Sequence, residues 1–406
     1  MEMFDAAKIS LDFPILSTMV YGKPLIYFDN AATTQIPQIV MDTVTNHYKT
    51  QNANVHRGIH YLSKKSTMCM EHARVLMQKF VHAESPEQIV FTSGTTESVH
   101  MIAQSYVRYL LEEDDQIIVS EFEHHSNLVV WQQLCMEKRA KLIVIPEKNG
   151  TLDMDCFISS ISKKTKFVSM TMVSNVTGVQ LPVKLIVQYA HEAGAAICID
   201  GAQSVRHGVD VCRLGCDFFC FSGHKMMGPA GTGVLYIARK LLDTMRPVRF
   251  GGGMVETVYS DRTTFAPMPY RLEAGTPNYP GIIGLGAAAE YLMNLGMEEI
   301  SEYEKALTVE LEHMLNSVEG VTVLGKGQEK YSVVSVVMKG IHPYDAASFL
   351  DKYGIAVRSG SHCAQLIVRK YGVDSVLRFS PAFYNNFHEI NTIQEKLQEI
   401  IGFFQK

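Results

Sequence analysis

Several residues able to do chemistry stand directly after short apolar runs of the sequence. Lys225 lies in FSGHK after the run CDFFCFS (216–222), and Asp200 ends the run AAICID (195–200). His124 follows QIIVS (116–120), within EFEHHSN. Runs rich in β-branched and aromatic side chains, bounded by Gly or polar residues, are typical of buried strands. The amine, the carboxylate and the imidazole are therefore expected at strand ends.

The elements that would position these groups form an α/β pattern. Segments of helical periodicity separate most of the apolar runs, for example residues 97–111, 127–139 and 182–193. This alternation predicts a large domain with a mostly parallel, seven-stranded sheet covered on both faces. Ligands bind beyond the carboxyl ends of the strands in such sheets, so the residues after each run are expected to share one site. The seven runs are QIVFT (88–92), QIIVS (116–120), KLIVIP (141–146), KFVSMTMV (166–173), AAICID (195–200), CDFFCFS (216–222) and GVLYIA (233–238).

The pattern changes after about residue 285. Long helical segments at 285–296, 299–316, 343–353 and 388–405 surround few strands, such as YSVVSVVMK (331–339). We expect three parts: an N-terminal segment (1–20) packing with the small domain, a large domain (21–285), and a smaller C-terminal α+β domain (286–406). The Gly- and Pro-rich stretch 250–286 is interpreted as loop and crossover.

Composition excludes several classes of protein. The 406 residues carry a formal net charge of -5, which offers no basic surface for nucleic acid. The chain has no run of about 18 apolar residues that would span a membrane. The first residues, MEMFDAAKISLDF, lack the basic and apolar regions of a signal peptide. A cytoplasmic location, where thiols stay reduced, is the expectation.

The remaining strand ends add groups suited to one kind of ligand. SGTTES (93–98) opens a helix, and its free N–H groups suit either a phosphate or a simple capping box. Asn175 follows the run KFVSMTMV. A buried Asp200 needs a partner, either a backbone cap or a cationic ring nitrogen. A lysine in so apolar a place can act as an amine nucleophile. Together these groups are what pyridoxal phosphate requires, with no metal.

Cys363, in RSGSHCAQ (358–365), has four possible roles on its local sequence: structural thiol, disulfide partner, metal ligand or nucleophile. A cytosolic setting disfavours the disulfide. The run Cys212, Cys216 and Cys220 has a spacing that fits neither zinc nor common iron–sulfur patterns, and is interpreted as largely a buried strand. A cofactor site elsewhere in the chain favours the nucleophile.

The chain resembles the cysteine desulfurases of the group II, SufS-like branch, which are class V aminotransferases and fold-type I pyridoxal phosphate enzymes. The resemblance runs nearly end to end. Its motifs are YFDNAATTQIP (27–37), NVHRGIH (54–60), SGTTES (93–98), EHHSN (123–127), VSNVTG (173–178), DGAQS (200–204), FSGHK (221–225), RLEAGTPN (271–278), YGIAVRSGSHCAQ (353–365) and LRFSPAFYN (377–385).

The resemblance implies a role for each matching residue. Lys225 would form the Schiff base with the cofactor, Asp200 would pair with the ring nitrogen, and His124 would stack on the ring. Arg378 would bind the substrate carboxylate through its planar fork, together with Asn175, which also lies at the cofactor. The other implied contacts are Gln203 at the ring hydroxyl, Thr95, Thr96, Ser222 and His224 at the phosphate, Thr276 at the phosphate of a neighbouring subunit in a homodimer, and His56 and Arg358 in the pocket.

The implied reaction converts L-cysteine to L-alanine and leaves the sulfur on Cys363 as a persulfide. Arg358 and His362 are the neighbours expected to favour the thiolate. The resemblance further implies a sulfur acceptor of the SufE or SufU type, a Suf scaffold and iron–sulfur cluster assembly. Two positions depart from the family pattern: Ser361 replaces a histidine, and Leu366 stands where proline is common. The alternatives are a selenocysteine lyase, an aminotransferase or β-eliminating enzyme, and a catalytically silent scaffold.

Overall fold

A seven-stranded sheet organises the larger part of the molecule, a computed structural model that describes residues 4–404. The strand order is β4-β12-β11-β10-β9-β5-β6, and β12 alone among these seven runs antiparallel to its neighbours. The strands of the described chain are β1 (Met19–Val20), β2 (Lys23–Pro24), β3 (Ile26–Tyr27), β4 (Ile89–Thr92), β5 (Gln116–Ser120), β6 (Lys141–Ile145), β7 (Glu147–Lys148), β8 (Thr151–Leu152), β9 (Thr165–Thr171), β10 (Ala196–Asp200), β11 (Phe218–Ser222), β12 (Gly233–Ile237), β13 (Val255–Val258), β14 (Thr263–Phe265), β15 (Val321–Val323), β16 (Val334–Met338), β17 (Ile355–Ala356), β18 (Arg358–Gly360) and β19 (Val376–Phe379).

Helices cover both faces of this sheet, as the alternating pattern predicts. A π-helical turn, Ala103–Val107, joins α4 to α5 within the predicted helix 97–111. The α-helices are α1 (Ala6–Ser10), α2 (Gln38–Thr50), α3 (Tyr61–Phe80), α4 (Thr95–Ile102), α5 (Arg108–Leu110), α6 (Val129–Lys138), α7 (Met154–Ser160), α8 (Val183–Glu192), α9 (Val211–Leu214), α10 (Tyr279–Leu295), α11 (Met297–Ser317), α12 (Pro343–Asp351), α13 (Gln365–Lys370) and α14 (Phe387–Phe404).

Two hydrophobic cores lie on opposite faces of the large sheet. Along β10, Ile197 and Ile199 belong to one core while Cys198 belongs to the other. Successive side chains of a strand point to opposite faces, so both faces of each central strand must be apolar. Cys216 and Cys220 are buried in these cores and Cys212 is exposed.

A smaller α+β unit contains an antiparallel sheet of order β15-β16-β19-β18. Strands β18 and β19 pair Arg358 with Arg378, which places two arginines side by side on this sheet. Ile26 and Phe28 pack into the core of this unit, although both lie in the predicted large domain. The sheet thus carries cationic side chains toward the larger part of the molecule.

The stretch 250–286 differs from the loop expected there. It contains the hairpin β13–β14, and its last residues form the first half of α10. Two of the glycines that suggested a loop are helix-packing positions: a Cβ at Gly284 would lie 2.6 Å from Val44, and one at Gly286 would lie 2.7 Å from Ala73. Close approach of α10 to α2 and α3 therefore requires glycine. The predicted boundary at 285/286 falls inside α10, and we propose Gly296 as the division.

The N-terminal segment packs beside the small unit through aromatic contacts. Phe4 stacks on Tyr303 with ring centroids 4.9 Å apart, and Phe13 lies 4.5 Å from Tyr384. Of the predicted segment 1–20, residues 1–3 lie outside the described residues. Between residues 4 and 404, no helix is long and apolar enough to cross a membrane.

Candidate active site

A cavity of about 440 Å³ opens at the carboxyl edge of the large sheet. The sequence places most of the predicted site residues at this edge, because β4, β5, β9, β10 and β11 all end there. Small-domain strands β18 and β19 and the loop after β18 close its other side. The lining residues are Ala31, Ala32, Thr33, Thr95, Thr96, His124, Ser126, Thr171, Asn175, Asp200, Ala202, Gln203, Ser222, His224, Lys225, Arg358, His362, Cys363 and Arg378.

Lys225 and Asp200 form the charged floor of this cavity. Burial lowers the pKa of the Lys225 amine to about 8, although the charge of Asp200 opposes the shift. Burial raises the pKa of Asp200, while the Ala202 N–H and Lys225 favour its ionised form. Among the described residues, Asp200 accepts one side-chain hydrogen bond, from Ala202 N to Oδ1 (2.9 Å). A carboxylate with a single donor has capacity for a further N–H partner in the cavity.

Hydroxyl groups and a helix start cluster at another side of the cavity. The Ser222 Oγ lies 2.8 Å from Thr95 Oγ1 and accepts a hydrogen bond from Thr95 N (2.9 Å). Thr96 Oγ1 lies 2.7 Å from Ser126 Oγ. Helix α4 begins at Thr95, after Gly94, which has no side chain to cap the helix. Free N–H groups and hydroxyls around a helix start are suited to an anion such as phosphate.

Two histidines at the cavity are electrically neutral near pH 7. Burial, with Lys225 nearby, lowers the pKa of His124 to about 3 and that of His224 to about 4. The Nδ1 of His124 accepts a hydrogen bond from Ser126 N (3.1 Å), which leaves Nε2 for other contacts. A neutral imidazole of this kind can stack on a flat ring without repelling a cation.

An ion-pair network joins Asp29 to both predicted arginines. Asp29 accepts two hydrogen bonds from Arg358 Nε (3.0 and 3.1 Å) and one from Arg378 Nη2 (3.3 Å). Burial lowers the pKa of Arg378 to about 10, so its guanidinium remains charged at neutral pH. Its Nε is buried without a hydrogen-bond partner among the described residues. Arg378 therefore retains a donor for an anionic ligand.

Cys363 lies at the mouth of this cavity, in the loop between β18 and α13. The residue is exposed, whereas its neighbour His362 is buried. Burial lowers the pKa of His362 to about 3. His362 is therefore uncharged near pH 7, which leaves Arg358 as the cation of the two residues expected to favour the thiolate. Arg358 keeps its charge, because hydrogen bonds to Asp29 raise its pKa.

Two predicted residues are not brought to the cavity of their own chain. His56 is exposed and its ring lies 5.3 Å from that of Tyr270. Thr276 is exposed and lines a separate surface pocket with Arg249 and Glu273. Gln203 does line the cavity and donates from Nε2 to the Ala31 carbonyl (2.9 Å).

The carboxyl group of Glu123 lies beneath the cavity and was not singled out by the sequence. It accepts hydrogen bonds from Thr171 N (3.0 Å), Asn127 Nδ2 (2.6 Å) and the Ser120 hydroxyl. Burial raises its pKa to about 8, and the charge of Asp200 adds to the shift. The sequence feature that could have identified Glu123 is its position directly before His124, a predicted site residue.

The residues present fit pyridoxal phosphate. A lysine with a lowered pKa, a buried carboxylate with spare capacity and a hydroxyl-lined helix start face one cavity. These are the amine, the acid partner and the phosphate donors that this cofactor needs. The cavity also has a neutral imidazole and a charged guanidinium.

Comparison with known proteins agrees with this combination of fold and site. The model of the aminotransferase class-V family matches residues 26–393. The match covers most of the chain, so the chain belongs to the aminotransferase class-V family.

The similar proteins within that family share a more specific description. A cysteine desulfurase of Synechococcus elongatus is 44% identical over 399 residues, which are 98% of this chain and 64% of that protein. The cysteine desulfurase of Escherichia coli K12 is 44% identical over 401 residues, 98% of each chain. The apo structure of a cysteine desulfurase from Thermococcus onnurineus NA1 superposes with a TM-score of 0.93 at 36% identity, covering 99% of both chains.

Proposed function

We propose that this protein is a pyridoxal phosphate-dependent cysteine desulfurase that converts L-cysteine to L-alanine and receives the sulfur on Cys363 as a persulfide. One observation carries the proposal: Lys225, Asp200 and Cys363 line the same cavity, although the last belongs to a different part of the fold. An aminotransferase has no use for a thiol at this position. The similarity to proteins named cysteine desulfurase supports the same activity.

The residues that would hold the cofactor lie at the carboxyl ends of four strands, β4, β5, β10 and β11. Lys225 would bind it covalently, Asp200 would pair with its ring nitrogen, and His124 would lie against its ring. Its phosphate would be bound by Thr95, Thr96, Ser222 and His224, and its ring hydroxyl would lie near Gln203. When bound, pyridoxal phosphate supplies an electron sink for the Cα of an amino acid.

Different side chains of this protein bind the substrate, move its proton and accept its sulfur. Arg378 and Asn175 bind its carboxylate, with Arg358 and His56 expected around the pocket. The Lys225 amine takes the proton from Cα, which its lowered pKa suits. The thiolate of Cys363 attacks the substrate sulfur. A new S–S bond forms, and the Cβ–S bond breaks with its electron pair left on Cβ. Cβ takes up a proton, and the Lys225 amine returns a proton to Cα to give alanine.

The site is complete only in a homodimer. Thr276 is exposed and lies outside the cavity of its own chain, so it is available to the phosphate of a partner copy. Large apolar side chains are exposed on the same region, among them Ile59, Tyr61 and Phe250. Arg57 donates to the Val255 carbonyl (3.2 Å), which ties residues near Ile59 to the β13–β14 hairpin. An apolar surface of this kind is suited to a second copy of the chain.

The cellular setting follows from the resemblance stated above. The enzyme is cytoplasmic, and the persulfide is passed to an acceptor of the SufE or SufU type and a Suf scaffold for iron–sulfur cluster assembly. Because a selenocysteine lyase is the alternative function, both L-cysteine and L-selenocysteine are assayed.

Three proteins test the proposal: the wild type, Lys225→Ala and Cys363→Ala. Each is given L-cysteine or L-selenocysteine with a reductant, and alanine, sulfide or selenide, and protein-bound persulfide are measured. We expect alanine and a persulfide on Cys363 from the wild type alone, and no visible cofactor–lysine absorbance in Lys225→Ala. Wild-type protein that forms no alanine contradicts the proposal. Selenide release undiminished in Cys363→Ala assigns the protein to the selenocysteine lyases instead.

A further inference from the structure

The backbone around Cys363 has an unusual conformation. His362 and Cys363 both have positive φ angles, +52° and +55°. A residue with a Cβ is strained in this left-handed region, and two in succession are held there only by their surroundings. The loop closes on itself through one hydrogen bond, from Ala364 N to the Ser361 carbonyl (3.0 Å).

Large-domain donors bind the carbonyl groups of both strained residues. Asn175 donates from Nδ2 to the His362 carbonyl (2.7 Å), and His125 donates from its backbone N to the Cys363 carbonyl (2.7 Å). Asn175 is itself buried, and its own carbonyl accepts from Arg378 Nη1 (2.9 Å). These bonds cross between the two parts of the fold.

The segments on either side of His362 and Cys363 are anchored by other contacts, so the strain is confined to these two residues. Before them, β18 belongs to the small antiparallel sheet. After them, Ala364 and Ile367 are buried in a core of the large sheet, and Leu366 packs against the other. The carbonyl of His362, which accepts the Asn175 hydrogen bond, ties this residue to the large domain.

We propose that Asn175 is a positioning residue for the nucleophile: its amide holds the His362 carbonyl and so keeps Cys363 over the cofactor cavity. The Asn175 amide group has two N–H donors, and the loop uses one of them. The hydrogen bond to the loop therefore fixes the direction of the second N–H of the Asn175 amide. This step rests on the proposed function: the same amide binds the substrate carboxylate, so substrate binding and loop position depend on each other.

The loop is tested in cofactor-free protein without substrate, so that failure of the proposed function does not affect the result. We expect Asn175→Ala to increase hydrogen exchange of the peptide covering residues 361–366 roughly tenfold, as loss of one hydrogen bond predicts. We also expect the alkylation rate of Cys363 to differ between Asn175→Ala and the wild type. The alkylation rate of the exposed Cys212 in the same proteins stays the same. Asn175→Asp, which keeps the shape but lacks the donor, gives the same result if Asn175→Ala folds poorly.

Gln203→Ala is the matched control, because Gln203 lines the same cavity without contacting the loop. It leaves both the exchange of residues 361–366 and the Cys363 alkylation rate at the wild-type level. Exchange in both Asn175 variants equal to the wild type overturns the proposal. In single-turnover assays at saturating L-cysteine, a loop-positioning role lowers the rate of alanine formation. A role in carboxylate binding alone raises KM and leaves that rate unchanged.

Discussion

Two buried carboxyl groups, Glu123 and Asp200, lie near each other but face different partners. Asp200 faces the Lys225 amine, whereas the hydrogen-bond partners of Glu123 are neutral. Each carboxylate makes ionisation of the other less favourable. A single negative charge beneath the cavity therefore resides on Asp200, where a cation is available. Glu123 is left to hold the His124 loop against β9 through the Thr171 N–H.

This assignment makes a prediction for the pH dependence of stability. The folded protein keeps the Glu123 proton up to about pH 8, whereas the unfolded chain releases it near its ordinary pKa of 4.5. Stability is therefore lost as the pH rises between these values, by up to about 3–5 kcal/mol for this group. Glu123→Gln cannot titrate, but its amide must face the Thr171 or Asn127 donor. We expect it to melt below the wild type at pH 5 and to approach or exceed it at pH 8.

The measurement is the difference in Tm between the two proteins at each pH. Other titrating groups cancel in this difference, because both proteins contain them. A difference that is the same at pH 5 and pH 8 means that Glu123 is ionised in the folded protein, and contradicts the assignment.

A site residue could be predicted from the sequence when it directly follows an apolar run that clearly marks a strand. Lys225, Asp200 and His124 follow well-marked apolar runs, and parallel strands bring such ends to one edge. Asp29 was missed because it follows β3, a strand of two residues with no measurable periodicity. Its partners, Arg358 and Arg378, lie 329 and 349 positions away in the sequence. Local patterns carry no information about such a contact.

At the scale of elements, the strands were easier to predict than the helix α10. The run QIIVS has the predicted bounds in the structure, and the other six runs differ from their strands by no more than two residues at either end. Helix α10 begins at Tyr279, six residues before the predicted start, because its glycines are contact positions between helices. Composition alone does not distinguish glycine in a turn from glycine in a packed helix.

Close packing of strand β12 on the turn before α4 gives an element-scale prediction. A Cβ at Gly233 would lie 2.5 Å from Gly94 Cα and 2.8 Å from the Phe221 carbonyl oxygen. Backbone atoms cannot move aside as a flexible side chain does. We expect Gly233→Ala to destabilise the protein by about 1–3 kcal/mol. Displacement of Gly94 also moves Thr95, so cofactor affinity falls.

Denaturant unfolding of the cofactor-free protein and titration with pyridoxal phosphate measure the two effects separately. Gly402→Ala is the control, since Gly402 is exposed in α14 and its added Cβ meets nothing within 4 Å. It is expected to stabilise the helix slightly, by about 0.5–1 kcal/mol. Unchanged cofactor affinity in Gly233→Ala would show that β12 does not position the phosphate turn.

At the scale of the whole molecule, a buried ion-pair network joins the two parts of the chain. Glu304 of α11 accepts hydrogen bonds from Arg206 Nε (3.0 Å) and from the backbone N of Phe383 (3.0 Å), and lies 2.6 Å from His207 Nε2. Arg206 lies in the segment that follows Asp200, the last residue of β10, and Phe383 follows β19, the strand that carries Arg378. The network thus holds the segment that follows Asp200 and the segment that follows Arg378 in one arrangement.

The proposed homodimer, in which Thr276 reaches the phosphate site of the partner copy, predicts complementation between two inactive proteins. Lys225→Ala lacks the amine of its own site but supplies an intact Thr276 to its partner. Thr276→Asp keeps its own Lys225 but offers the partner a carboxylate that repels phosphate. In a heterodimer of the two, one site combines Lys225 of one chain with Thr276 of the other. We therefore expect about half of the wild-type activity from heterodimers isolated with two affinity tags, and little from either homodimer.

The complementation assay needs a reference heterodimer and a check of the oligomeric state. A wild-type and Lys225→Ala heterodimer also has one intact site, and sets the level that full complementation must reach. Light scattering should give twice the 45.4 kDa chain mass for every protein compared. If Thr276 served only its own chain, the mixed dimer would have no intact site. Its activity would then be as low as that of its parents, and the exposed position of Thr276 would need a different explanation.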